Sequence, residues 1–151
     1  MLQSKYIECK AEAYRQMNAT RKSTEYLCTL SKIYGDLSRA QQYAVAVDTF
    51  DHMFGEDEFG YWYFSDYAQI TMSALQDLFR VAVTTIDDIQ AIRIIYAVER
   101  AIERSRWLLK DKHEDGLDPA TTKALDEIQL EYRRLRPQFI EVMKQWFETQ
   151  A

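Results

Sequence analysis

Glycine and proline are scarce in this chain, four and two in 151 residues, against a typical usage of about 7% and 5%. So little punctuation excludes a fold of many short strands and turns, and predicts long helices with few joints. Cys9 and Cys28 are the only cysteines, too few for a disulfide scaffold. Both fall in segments of helical periodicity, so a reduced, cytoplasmic protein with inert core thiols is expected. No stretch of about 18 apolar residues occurs, and the start from Met1 to Glu12 lacks the apolar core of a signal peptide, so no membrane association is expected. His52 and His113 are the only histidines, no Glu-x-x-His pair occurs, and no serine sits in a Gly-x-Ser-x-Gly turn. The glycines form no phosphate loop. These absences remove the common routes to catalysis and nucleotide binding.

A further absence is local. Residues 40 to 79 contain no lysine or arginine, where an even spread of the chain's 19 would place about five, yet they hold ten of its 20 aromatics. They also hold seven acids: Asp48, Asp51, Glu56, Asp57, Glu58, Asp66 and Asp77. Residues 1 to 39 sum to +3, residues 40 to 79 to −7 and residues 80 to 151 to −1, which gives the formal −5. One segment therefore supplies the whole negative excess. Such a field steers a partner of opposite sign, and aromatics supply contact area at small entropic cost. The same acidity opposes direct nucleic-acid binding, which runs on phosphate neutralisation.

Periodicity places the helices. Leu2, Tyr6, Cys9, Ala13 and Met17 recur three and four apart and predict a helix over 4–18. A second is predicted over 24–34, with a strip of small residues, Thr24, Cys28, Ser31 and Gly35, suited to close packing. Ser38 and Gln41 read as a capping box opening a third helix with Ala40, Tyr43, Ala44, Val47, Phe50 and Phe54 inward. The 61–83 stretch is apolar around most of its wheel and predicts a central fourth helix. Thr85 with Asp88 predicts the cap of a fifth, running to Leu109, and Asp118-Pro119 the start of the last. There Leu125, Ile128, Tyr132, Leu135, Phe139, Val142 and Trp146 form a seam, and Pro137 predicts a kink or a break at Arg136. The expected architecture is one all-α domain over residues 1–151, a bundle-like globule of five or six helices with the fourth and fifth inside.

Those helices carry two candidate contact faces. Trp62 heads the polar strip Asp66, Gln69, Ser73 and Gln76, so on one continuous helix it points outward. With Asp48, Asp51, Glu56, Asp57, Glu58 and Asp66 it would form an aromatic anchor with an acidic rim, expected to bind a protein with a basic surface. On the fifth helix Arg93, Arg100 and Arg104 share a face with Trp107, near Tyr96 and opposite the apolar stripe, a second candidate contact for carboxylate or phosphate. The expected function is a non-catalytic protein-protein interaction module, a small adaptor or inhibitor without cofactor or metal. Two alternatives remain open at this point. Asp48, Asp51 and His52 lie within one helical turn and the 56–58 acids follow, so a carboxylate and metal enzyme is one. The other is self-assembly, with the seam from Leu125 to Trp146 pairing with its copy in a homodimer.

Overall fold

A computed structural model describes residues 4–23, 30–56, 59–113 and 116–150. It is all-α: α1 (Lys5–Ser23), α2 (Leu30–Gly35), α3 (Arg39–Gly55), α4 (Phe59–Trp62), α5 (Asp66–Thr85), α6 (Ile89–Leu109) and α7 (Pro119–Glu148). Among the described residues there is no strand, and no helix is long and apolar enough to cross a membrane. Among the described residues five helices are long and two are short, which agrees with the expected bundle-like globule.

The local signals hold at two starts. Ser38 accepts from the Gln41 amide while the Gln41 side chain accepts from the Ser38 amide, the reciprocal box that satisfies two otherwise orphaned donors. Asp118 accepts from the Thr121 amide with Pro119 in the first turn, and these hydrogen bonds hold its carboxyl below the ordinary carboxylate range. Helix α1 runs on past residue 18 to Ser23, as no glycine or proline interrupts it. Its stripe is confirmed at Tyr6, Ala13 and Met17, with Cys9 half-buried and its thiol pKa raised by that burial.

Three expectations are corrected. The 61–83 helix is broken: α4 ends at Trp62 and α5 begins at Asp66. Between them Ser65 takes extended backbone, donates its hydroxyl proton to the Trp62 carbonyl and accepts from the Ala68 amide, closing one helix and opening the next. Thr85 is the last residue of α5 and no cap of α6. Asp88 caps α6 by accepting from the Gln90 amide, and the Thr85 hydroxyl instead accepts from the Trp146 indole. Gly35 marks no close approach, since a Cβ there would meet nothing within 4 Å among the described residues. Gly55 and Gly60 do: an added Cβ would lie 3.0 Å from the Arg136 guanidinium and 3.1 Å from Leu125 respectively. Of the remaining small strip, Thr24, Cys28 and the Ser31 side chain lie outside the described residues.

The central helix is α3. It packs on α1, α5 and α7, and from Tyr43 to Val47 every residue is buried. Alanine and valine at 44 to 47 keep that stretch thin enough for neighbours on both sides. Val45 joins a small cluster with Ala13, Met17, Ile33, Tyr34 and Leu37. Tyr43, Ala44, Ala46, Val47, Phe50 and Phe54 enter the main core, and only Ala40 of the expected face is exposed. Around Phe54 the rings of Phe50, Phe59 and Tyr132 stand 4.6 to 5.1 Å away. Helix α5, expected inside, is one-sided: Leu75, Leu78, Phe79 and Ala82 are buried while Gln69, Ser73, Gln76 and Arg80 face out.

Helix α7 is continuous through Pro137, which is exposed to solvent, so the chain does not break at Arg136. Its seam is spent within the chain. Leu125, Ile128, Tyr132, Phe139 and Trp146 are buried, and Leu135 and Val142 pack against the same core. The side chains expected to pair with a second copy are thus packed within the chain.

Candidate interaction surface

The acidic segment is largely answered inside the fold. Asp48, on α3, turns toward α1, where it accepts from Lys10 Nζ at 3.2 Å and from the Tyr14 hydroxyl at 2.7 Å. Asp51, one turn on, turns toward α7. The Arg136 guanidinium grips it in a fork, Nε to Oδ1 at 2.8 Å and Nη2 to Oδ2 at 3.0 Å, and the Tyr132 hydroxyl donates to Oδ1 at 2.6 Å. Burial, and secondarily Asp51, raise the Tyr132 pKa, and the hydrogen bond to Asp51 raises that of Arg136. Glu56 lies 3.8 Å from the same guanidinium. Asp77 accepts from Arg39 and from the Tyr43 hydroxyl, both at 2.6 Å, with Arg80 at 3.8 Å. The Tyr43 bond first, then Arg39, hold its carboxyl below the usual range.

Every one of these bases lies outside residues 40–79. For these four acids the gap is a segregation of charge along the chain that folding undoes, because the surrounding helices carry the counter-charges. Two further α7 side chains complete the join by capping the end of α3: Gln129 donates to the Phe54 carbonyl at 3.0 Å and Arg133 to the Gly55 carbonyl at 2.8 Å.

Trp62 is also corrected. Ser65 ends the short α4, so Trp62 does not head the α5 polar strip; it is 6% exposed, beside Phe59 in the core. Asp66 is exposed in the first turn of α5, where the helix dipole favours an acid. Asp57 and Glu58 lie outside the described residues. Trp62, Asp48 and Asp51 are thus not brought together on one surface.

The metal alternative meets the same geometry. Asp48 and Asp51 turn to different helices and each already holds a cation, while His52 is exposed. Among the described residues no three His, Cys, Asp or Glu side chains gather as a metal would require.

The residues of the second candidate face lie along one exposed side of α6. Ile89, Arg93, Tyr96, Arg100, Arg104 and Trp107 follow one another at spacings of four, three, four, four and three on α6, one stripe of a helix. All six are exposed, Ile89 by 63%, Tyr96 by 49% and Trp107 by 73%. The opposite stripe, Ala91, Ile95, Val98, Ala101, Ile102 and Leu109, is buried. That contrast fixes how α6 is turned. Arg104 reaches Glu131 of α7 at 2.7 Å, a half-exposed pair. Among the described residues neither Arg93 nor Arg100 makes an ion pair. Lys110 Nζ sits 5.0 Å from the centroid of the Trp107 ring. Beside Trp107 an open groove of about 390 Å³ runs between α6 and α7, with Leu108, Ala124 and Ile128 in it and Glu103, Arg104 and Glu127 along it. Sequence reasoning missed Ile89 and Lys110; the four-residue step from Ile89 to Arg93 was the available signal.

Fold and surface together define an all-helical domain with one aromatic and arginine-rich helix face turned to solvent. No family model matches the chain, and no curated protein or solved structure is significantly similar to it.

Proposed function

We propose that the protein is a non-catalytic protein-protein interaction module, of the adaptor or inhibitor kind, and that its contact face is the outer side of α6. The observation that carries this is Trp107, 73% exposed at the end of a stripe that begins at the exposed Ile89 and exposes Tyr96 between Arg93 and Arg100. Tryptophan, tyrosine and arginine dominate the residues that carry binding energy, and all three share this exposed stripe. Asp48, Asp51 and Glu56, three of the acids first expected to meet a partner, lie against Lys10 and Arg136 instead, which favours this face over the acidic segment. A cytoplasmic setting belongs to the proposal, supported by the free Cys9 thiol.

Affinity capture from the native host with the wild-type chain and an Arg100→Glu/Trp107→Ala variant side by side tests this. A protein held by the wild type and lost by the folded variant supports the proposal. Identical captures by both remove α6 as the contact.

A further inference from the structure

The partner's chemistry can be taken further, on the assumption that α6 is the contact. We propose that its outer face receives an acidic amphipathic helix of another protein, with carboxylates about one heptad apart opposite Arg93 and Arg100 and an apolar side chain in the groove beside Trp107.

Three features select this occupant. Arg93, Arg100 and Trp107 are seven residues apart, which on a helix is about 10.5 Å per step. A second helix lying along α6 repeats at nearly the same interval, so one partner side chain per heptad meets each of the three. The central stripe from Ile89 to Trp107 contains three arginines and no acid, and Lys110 continues the positive charge at its end. Arg93 and Arg100 make no ion pair among the described residues, so a partner carboxylate completes a pair instead of displacing one. The groove beside Trp107 has Leu108, Ala124 and Ile128 in it, a place for one aliphatic or aromatic anchor.

The same charges decide against the other occupants. Two copies of this chain joined by a two-fold axis along α6 would bring three arginines and Lys110 from each side into one interface, and like charges in an interface cost several kcal/mol. Nucleic acid would meet a chain of formal charge −5, with Glu99 and Glu103 flanking the stripe; a phosphate backbone needs a continuous basic track.

The test is selection from a displayed library of helical peptides of about 20 residues on the full-length chain, with rebinding to Arg93→Glu/Arg100→Glu and to Trp107→Ala. Circular dichroism confirms that both variants fold. The expected winners carry acids seven apart and an apolar anchor. They lose about tenfold or more in affinity to either variant, and they weaken as salt rises from about 0.05 to 0.3 M. Winners that need Trp107 but are neutral or basic overturn the acidic partner and leave α6 as the contact. Winners that bind the wild type and both variants equally, or a selection that yields none, overturn both. A fluorescein-labelled single-stranded oligonucleotide provides the remaining arm: if it binds more tightly than the winners and is lost in the same variants, the face is a nucleic-acid site and the proposal fails.

Discussion

Asp51→Asn tests whether the acidic segment is structural. The substitution keeps the size of the side chain and removes the charge that Arg136 and Tyr132 surround. An exposed ion pair contributes about 0.2–1 kcal/mol, and breaking a fully buried one costs about 3–5 kcal/mol. The Asp51 side chain is 16% exposed and Arg136 34%, so the pair lies between these limits, nearer the buried one on the Asp51 side. Two fork bonds and a tyrosine hydroxyl converge on a single carboxylate, and the expected loss is about 2–3 kcal/mol. For a domain of this size that corresponds to a fall in Tm of about 4–12 °C. Urea unfolding should show a lower midpoint with unchanged slope, the mark of lost stability in an unaltered fold. Tyr132→Phe in the same background should show coupling of about 1 kcal/mol, because both changes remove one shared hydrogen bond. The matched control, Asp66→Asn, should move stability by no more than about 0.5 kcal/mol. If Asp51→Asn is as mild as that control, Asp51 is not a strut and is free to meet a partner after all.

Two further outcomes follow from the same contacts. Ser65→Ala removes the group that ends α4 and starts α5, and thermal unfolding should report a loss of about 1 kcal/mol, rising toward 2 if α4 loosens. Asp77 has a depressed carboxyl pKa in the folded state, so its contribution is present above the ordinary carboxylate value near 4 and is lost as pH falls through the folded one. Wild-type stability should therefore drop more steeply below about pH 4 than that of Asp77→Asn; parallel curves would show that the Tyr43 and Arg39 contacts do not hold that charge.

What was legible in the sequence was local. Ser38 with Gln41 and Asp118 with Pro119 announce helix starts through side chains within one turn, so no knowledge of the fold was needed. The seam of α7 and the solvent-facing Pro137 were legible because periodicity reports which side of a helix is buried. Ser65 was hidden because the apolar pattern runs through it without glycine or proline; the following Asp66, an acid in a first turn, was the faint signal. Thr85 and Asp88 both suit a cap, and only the extended backbone at Ile86 and Asp88 decides between them.

The partners of the acids were not legible at all. Asp51 and Arg136 are 85 positions apart, and Asp48 and Lys10 38. Charge counted along the chain cannot distinguish a surface that waits for a partner from one that is neutralised by a neighbouring helix. The outer face of α6 was legible for the reason the acidic segment was not. Its members lie on a single long helix, so spacing alone gave their common side, and the buried stripe opposite left them only the solvent.

The most direct measurement is the affinity of the native partner for Arg100→Glu/Trp107→Ala compared with Asp66→Lys, both checked for folding. The α6 contact predicts a loss of about tenfold or more in the first and little change in the second. The reverse pattern, binding intact without Trp107 and lost at Asp66, would return the contact to the acidic segment and contradict this account.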